Sequence, residues 1–161
     1  MTRRQARRNA FLLLFQLAAN PQDMDGLLAL SGEFSIETED YMSAAPDAAG
    51  TDEQPPAPEE FDVTLDAYGR QLLEEVSCHL ADIDDAIRPH LTNWTLERLP
   101  RVSLAVLRLS CAELMYLPDL PDSVIINEAV ELAKQYGAED EYAFVNGALR
   151  NLNNAVRPQG T

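Results

Sequence analysis

The sequence predicts an all-α protein of about seven helices with one long acidic insertion. Apolar residues recur at helical spacing through most of the chain, and no stretch alternates with period 2 for long enough to indicate a strand. Residues 31–60 have no sustained period of either kind. The chain has 161 residues, 46% of them hydrophobic, which suits one compact domain or two small lobes with a common core. We therefore expect a single helical domain over residues 1–158.

The first helix is expected over TRRQARRNAFLLLFQLAA. Thr2 and Gln5 have the spacing of a capping box, in which each side chain accepts from the other residue's backbone N–H. Asn20 and Pro21 end the segment, because proline cannot continue a helix. Its apolar face consists of Ala10, Leu13, Leu14 and Leu17. A short second helix, PQDMDGLLAL, is expected to follow.

The next segment, SGEFSIETEDYMSAAPDAAGTDEQPPAPEE, spans residues 31–60 and is rich in acids, Ala and Pro. Such a composition buries too little apolar surface to offset the entropy lost on ordering. We expect a mobile acidic insertion, and we expect deletion of residues 33–58 to leave the domain folded.

Helical periodicity returns at Phe61 and continues through Leu65 to Leu80. A short turn of helix is expected over ADIDDAIRPHL, followed by NWTLERLPRV as a junction. The next segment, SLAVLRLSCAELMYL, is nearly all apolar, which is typical of the central helix of a bundle.

The last third of the chain has the clearest helix boundaries. DSVIINEAVELAKQYG begins after Pro121 and ends at Gly137, a favourable C′ residue. AEDEYAFVNGALRNLNNAV opens with three acids, which suit the positive end of a helix, and it ends before Pro158. These segments are expected to form the last helix pair.

Composition excludes several classes of protein. No apolar run approaches the roughly 20 residues that a membrane-spanning helix needs. Cys78 and Cys111 lie far apart with no CxxC spacing, so neither a disulfide scaffold nor a zinc site is indicated. A reducing compartment, the cytoplasm, is the expected location.

The net charge of −15 would repel nucleic acid if it were spread evenly over the surface. The acids are instead concentrated: residues 23–85 contain 18 acidic residues and one basic residue, whereas the rest of the chain contains 9 acidic and 11 basic residues. Four of those basic residues, all arginines, lie within the first eight positions. A cationic end on an acidic chain is typical of an interaction surface.

The sequence shows no pattern of a catalytic or cofactor site. Its seven glycines are scattered, without a phosphate-binding GxGxxG or GxxxxGK loop. Cys78 and His79 are adjacent, so on a helix they diverge by about 100° and do not form a metal site together. We therefore expect a protein that is not an enzyme and that holds neither cofactor nor metal.

Glu113 lies within the apolar central segment, where an ionised carboxylate is costly unless it is paired. We expect a structural acid held by an arginine such as Arg108 or Arg98, or by a helix N-terminus. A catalytic role is the less favoured alternative.

The arginine-rich first helix is the main candidate for function. Arg4, Arg8, Phe11 and Phe15 share one stripe, with Arg3 and Arg7 beside it. Guanidinium groups pair with phosphates, and aromatic faces stack bases, so this pattern suits single-stranded RNA. Two alternatives stay open: the arginines are merely solvated and the phenylalanines belong to the core, or the segment is an export signal, which its polar Gln16 and the Thr2 cap disfavour.

The C-terminal half, NWTLERLPRVSLAVLRLSCAELMYLPDLPDSVIINEAVELAKQYGAEDEYAFVNGALRNL, resembles the NusB family of transcription antitermination factors. The start, TRRQARRNAFLLLFQ, is similar to that family's arginine-rich first helix. The most specific blocks are INEAVELAK, YGAED and FVNGAL. The resemblance implies two small three-helix bundles joined by a shared helix, without catalysis. It also implies binding of boxA RNA together with NusE, a small-subunit ribosomal protein, within an RNA polymerase antitermination complex that supports ribosomal RNA synthesis and ribosome assembly.

The resemblance also implies a set of RNA-binding positions, namely Arg3, Arg4, Arg7, Arg8, Phe15, Arg101, Ser103, Asp140 and Phe144. Phe144 has a local argument as well, since it lies off the apolar stripe of its helix and is available for stacking. By contrast, we expect structural roles for Asn127, Glu128, Asn146 and Glu113.

The chain departs from the family in two ways. Its acidic insertion is long, and it has a single lysine, Lys134, where the family has frequent lysines. An alternative hypothesis is therefore a protein–protein adaptor that keeps the fold but has lost RNA binding. The same module within an RNA methyltransferase is disfavoured, because the length leaves no room for a methyl-donor domain.

Overall fold

The computed structural model describes residues 2–17, 33–36, 61–64 and 66–157, with the backbone alone described for 16–17, 33–36 and 61–64. The predicted all-α architecture is confirmed. The described part contains six α-helices: α1 (Arg3–Leu17), α2 (Ala67–Cys78), α3 (Leu80–Ile87), α4 (Arg101–Tyr116), α5 (Asp122–Tyr136) and α6 (Glu141–Val156). Two 3₁₀ turns, Arg88–His90 and Leu96–Arg98, lie between α3 and α4. The predicted helix over residues 21–30 lies outside the described residues.

Helix α4 belongs to two bundles. It packs with α1 and α2 on one side and with α5 and α6 on the other, while α3 contacts both α4 and α6. Its side chains are buried almost all round the helix between Val102 and Leu114, as its apolar sequence predicts. No helix in the described part is both long and apolar enough to cross a membrane.

The first helix begins where its capping box predicts. The Thr2 N–H donates to Gln5 Oε1 at 2.9 Å, and the Gln5 N–H donates to Thr2 Oγ1 at 3.1 Å. Ala10, Leu13 and Leu14 are buried, as expected from their shared face. Helix α1 is therefore an integral part of the core.

One short strand pair accompanies the helices, although no stretch of the sequence alternates long enough to indicate a strand. Glu33–Ile36 forms β1 and Phe61–Thr64 forms β2, paired antiparallel with Ile36 opposite Phe61, and both strands contact α1. Four-residue strands are too short to show a period of 2, and the spacing of Phe61 and Leu65 imitates a helix. The acidic insertion thus includes β1, and deletion of residues 33–58 would remove one strand of this sheet.

Helix α2 consequently begins later than its periodicity predicts. Asp66 is its N-cap, with extended backbone, and its carboxylate accepts from the Gly69 N–H at 2.8 Å. An aspartate in this position satisfies one of the N–H groups that the first helical turn leaves unpaired. The cap fixes the start of α2 at Ala67.

The C-terminal end of α4 is held by Arg157, which follows α6. Its guanidinium donates to the backbone carbonyls of Leu114 at 2.8 Å, Leu117 at 2.9 Å, Leu120 at 2.6 Å and Glu113 at 3.2 Å. The last carbonyls of a helix have no partner within the helix. Arg157 therefore closes α4 and fastens the end of α6 to it.

Replacing Arg157 with Ala is expected to lower the free energy of unfolding by about 2 kcal/mol, because partly buried carbonyls lose a charged donor. Urea denaturation followed by circular dichroism measures this change. An Arg157→Lys variant should recover only part of it, since an ammonium lacks the planar fork that reaches several carbonyls. Full stability in the Ala variant would contradict this role.

Gly137 ends α5, as predicted. A C′ glycine usually ends a helix because it adopts a left-handed backbone, but Gly137 does not. Its φ is −96°, a value that any residue adopts. A Cβ at this position would lie 2.7 Å from the Ala133 carbonyl oxygen and 2.5 Å from Glu141 Oε2. Glycine is favoured here mainly because a Cβ would meet the Ala133 carbonyl of α5 itself, in addition to the Glu141 carboxylate.

Candidate nucleic-acid interface

Three of the four arginines at the start of α1 are exposed: Arg3, Arg4 and Arg8. We call these three side chains the arginine face. Arg8 forms no ion pair with a described residue, whereas Arg4 and Arg3 each have one defined contact. Three guanidinium groups within two helical turns form a compact cationic surface suited to phosphate.

Arg4 pairs with Glu128 of α5. Its Nε and Nη2 lie 3.1 and 2.9 Å from the two carboxylate oxygens. The Arg4 side chain remains 72% exposed, whereas that of Glu128 is 15% exposed. Glu128 thus has a structural role, as expected, because it links α5 to α1, and a ligand phosphate at Arg4 has to compete with this carboxylate.

Arg3 lies against the other side of the bundle, with its guanidinium carbon 4.6 Å from the centre of the Tyr68 ring. A cation held over an aromatic face keeps its charge available to solvent. The arginine face therefore extends from Tyr68 of α2 to Glu128 of α5.

Arg7, in contrast, is 3% exposed, so its expected place on the surface is not observed. Its guanidinium donates to the Glu113 carboxylate, with Nε and Nη2 contacts of 2.9 and 2.6 Å, and the Tyr68 hydroxyl donates to the same carboxylate at 2.6 Å. Glu113 is the structural, paired acid that the sequence indicates, but its partner is Arg7. The arginines expected to hold it do not: Arg108 pairs with Asp84, and Arg98 is exposed.

The electrostatics of this buried cluster keep Arg7 charged and Tyr68 protonated. Burial alone disfavours the Arg7 cation, but the hydrogen bonds and charge of Glu113 outweigh it, so the pKa of Arg7 is raised. Burial, followed by the Glu113 charge, also raises the pKa of Tyr68, whose hydroxyl stays protonated as a donor. Arg7 therefore positions α1 on α4 from within the core.

Phe15 is likewise inside the molecule, 5% exposed, and Phe11 is fully buried beside it. The alternative in which these phenylalanines belong to the core is thus the one observed. A base can stack on Phe15 only if the ring leaves the core. The Arg101 guanidinium covers the Phe15 ring at 4.7 Å from its centre and donates to the Phe15 carbonyl at 3.1 Å.

The remaining predicted residues lie at the N-terminal ends of α4 and α6. Ser103, in the first turn of α4, is buried and its hydroxyl donates to Glu141 Oε1 at 2.8 Å. The other oxygen of Glu141 accepts from the Ala138 N–H. Asp140 is the exposed N-cap of α6 and makes no side-chain capping bond. Ser103 therefore joins the two helix ends, and Asp140 marks their exposed rim.

Phe144 is half-buried and packs against Trp94, with 6.4 Å between ring centres. Trp94 was not among the sequence-predicted site residues. An aromatic residue in a polar junction such as NWTLER was the available signal, but only the packing of the junction against α6 brings it to Phe144.

The predicted residues lie on α1, on α4 and at the start of α6, and α4 packs against both of the other helices. Arg4 and Arg8 border a cavity of about 170 Å³ between α1 and α5. Towards the end of α5, the Tyr136 ring lies 5.2 Å from that of Phe11. The α5–α6 connection then leads to Asp140, while Arg101 joins the start of α4 to α1.

The described residues contain no group of three or more His, Cys, Asp or Glu side chains that could hold a metal ion. Burial raises the pKa of the Cys111 thiol to about 12, which leaves it unreactive at neutral pH. His79 stacks on Tyr116 with 4.1 Å between ring centres. The exposed guanidinium groups, in contrast, are arranged for anions.

The two helical bundles share a central helix, and the arginine face is exposed on α1. These features are typical of an all-helical protein that binds an anionic partner. The profile of the NusB family matches residues 4–154. The chain therefore belongs to the NusB family.

Curated relatives agree with this assignment. The chain is 36% identical over 152 residues to the transcription antitermination protein NusB of Listeria innocua, a match covering 94% of this chain and 96% of that protein. It is 34% identical over 152 residues to NusB of Clostridium novyi, with 94% and 98% covered. A shorter match to NusB of Sorangium cellulosum is 51% identical over 86 residues, covering 53% of this chain and 61% of that protein.

Solved structures show the same fold. NusB of T. maritima superposes with a TM-score of 0.69 at 29% sequence identity, covering 99% of this chain and 95% of that one. A crystal structure of the antitermination factors NusB and NusE in complex with dsRNA gives a TM-score of 0.65 at 25% identity, with 95% and 96% covered. This chain is thus a NusB-type antitermination factor with a structural relative known in a NusE–RNA complex.

Proposed function

We propose that this protein binds boxA-type RNA together with NusE in the cytoplasm. Within an RNA polymerase antitermination complex, it thereby promotes transcription of ribosomal RNA operons and ribosome assembly. The observation that carries the proposal is the arginine face, three exposed guanidinium groups on a helix locked into the core by Arg7 and Glu113. The NusB relative in complex with NusE and dsRNA supports the same class of partners.

The mechanism begins with electrostatic capture. Arg3, Arg4 and Arg8 contact RNA phosphates, which fixes the position of the strand without reading its sequence. Their attraction acts at short range, since exposed charges are screened beyond about 8–10 Å at physiological salt. Acidic residues farther than this from the arginine face therefore oppose binding only weakly once the strand is in contact.

The edge beyond α1 supplies the second element of binding. Arg101 presents a further cation at the start of α4, and two helix N-termini, those of α4 and α6, lie side by side. Helix N-termini attract phosphate through their unpaired N–H groups and dipole. Phe144 supplies an aromatic surface for an unpaired base. NusE extends this surface in the complex that we propose.

Glu128 is expected to weaken RNA binding, because its carboxylate occupies Arg4. Replacing Glu128 with Gln should strengthen binding by up to about fivefold, the equivalent of a surface ion pair of up to ~1 kcal/mol. Fluorescence anisotropy with labelled RNA measures the change. Glu74→Gln is the matched control, since Glu74 is an exposed partner of Arg70 on α2 and lies outside the edge. Weaker binding by the Glu128 variant would contradict the competition.

A gel-shift with single-stranded boxA-type RNA, with and without NusE, tests the function itself. We expect a complex of protein, NusE and RNA that forms at lower protein concentration than the complex of protein and RNA alone. A complex of the protein and NusE that forms without RNA, together with no RNA complex at any protein concentration, would instead identify a protein–protein adaptor.

A further inference from the structure

Trp94 is an unusually open side chain for its type. It is the only tryptophan of the chain, and its 46% exposure is the largest among the large hydrophobic residues that the structure describes. It lies in the connection between α3 and α4, directly after Asn93, whose φ is +66°. An exposed tryptophan leaves a large apolar face in water, so a partner that covers it gains hydrophobic burial.

Phe144 gives this tryptophan a fixed support. The two rings lie 6.4 Å apart at 56°, and Phe144 itself packs against the hydrophobic core. Phe144 therefore restricts the motion of the indole while leaving nearly half of Trp94 open. A stacking surface held in place loses little conformational entropy when it binds a ligand.

The charges next to Trp94 favour a polyanion. Arg98 follows it in the same connection, and Arg101 begins α4; both are exposed, and neither pairs with a described carboxylate. The nearby Glu97 is neutralised by Arg88, with 2.9 Å between the charged atoms. An aromatic face beside guanidinium groups without a carboxylate partner is the combination that holds a base and its phosphate.

We propose that Trp94, supported by Phe144, stacks one unpaired base of the RNA that is held by the arginine face. This inference rests on the proposed function and adds a subsite to it. Side-chain contacts link the subsite to α1, because Arg101 contacts Phe15 of α1 and Ser103 contacts Glu141 in the first turn of α6, where Phe144 lies. In the proposal, one strand extends from α1 to the α3–α4 connection.

Intrinsic fluorescence tests the proposal, because the chain has a single tryptophan. The full chain is titrated with single-stranded boxA-type RNA in the presence of NusE, using a NusE variant without tryptophan. Emission from Trp94 should be quenched along the same binding curve that anisotropy of labelled RNA gives. Trp94→Ala should weaken RNA binding roughly 5- to 100-fold, the range of one lost stacking contact.

The matched control is Tyr142→Ala, which removes another exposed aromatic side chain, 39% exposed, from a different surface of α6. It should leave RNA affinity unchanged. Trp94→Phe should retain most of the affinity, and all variants should keep the same slope of affinity against salt, because stacking releases no counterions. Circular dichroism verifies that each variant is folded.

The outcomes separate the subsite from the function. RNA binding with unchanged emission and unchanged affinity of Trp94→Ala would overturn the subsite and leave the proposed function intact. Absence of RNA binding by the wild-type protein with NusE would overturn the proposed function, and the subsite with it. A change in emission on adding NusE alone, with none on adding RNA, would assign Trp94 to a protein contact and overturn the subsite.

Discussion

Replacing Glu113 with Ala is expected to lower the free energy of unfolding by about 3–5 kcal/mol. The substitution leaves the Arg7 guanidinium buried without a counter-charge and removes the acceptor of the Tyr68 hydroxyl. Domains of this size have a total stability of about 5–15 kcal/mol, so the loss is a large fraction of it. Urea denaturation monitored by circular dichroism gives the difference.

Two variants control this result. Glu74→Ala removes an exposed partner of an i,i+4 pair and should cost less than about 0.5 kcal/mol. A double Arg7→Met, Glu113→Met variant should recover much of the lost stability, because a buried ion pair is often replaceable by apolar groups of similar volume. A Glu113→Ala protein as stable as wild type would show that the buried pair does not hold α1 on α4.

Replacing both Arg4 and Arg8 with Ala should change the salt dependence of RNA binding. Each phosphate contact to a single strand contributes about −0.7 to the slope of log affinity against log salt, so the three exposed arginines contribute about −2 together. Because Arg7 is buried, a contribution from four arginines is not expected. The double variant should bind more weakly at low salt, with a slope less negative by about 1.4.

The control for this pair is Arg150→Ala, which removes an exposed arginine from the groove between α5 and α6. Its slope should stay close to that of the wild type. Helicity should be unchanged in all three proteins, since Arg4 and Arg8 lie on the solvent side of α1. If the double variant still binds RNA with an unaltered slope of log affinity against log salt, the phosphate contacts are made by residues outside α1.

Features set by neighbouring residues were predictable from the sequence. The Thr2–Gln5 capping box, the end of α5 at Gly137 and the buried character of α4 each depend on residues within a few turns of one another. The structure contains all three. Local patterns of this kind determine where helices begin, where they end and which of their faces are buried.

Features set by tertiary packing were not predictable. Glu113 required a partner, but Arg7 lies 106 positions away, and only the packing of α1 on α4 brings them together. The same packing withdraws Arg7 and Phe15 from the surface, although their helical spacing from Arg4 and Arg8 indicates a shared stripe. The strand pair is missed for another reason, since two four-residue strands separated by 24 residues carry no readable period.

The candidate site also has one part that was predictable from local sequence and one part that depends on tertiary packing. The exposed arginines of α1 were visible in the sequence as a cluster of charge, because exposure at a helix end is the default for such residues. The position of Trp94 beside Phe144 depends on how the α3–α4 connection crosses α6, which no local pattern specifies.

Photo-cross-linking of 4-thiouridine-substituted boxA-type RNA to the protein–NusE complex tests most directly where RNA lies. The expected result is cross-linked peptides containing residues 3–8 of α1 and residues 138–144 at the start of α6. Cross-links confined to the groove between α5 and α6, which Val124, Asn127 and Arg150 line, would contradict the arginine face as the RNA-binding surface.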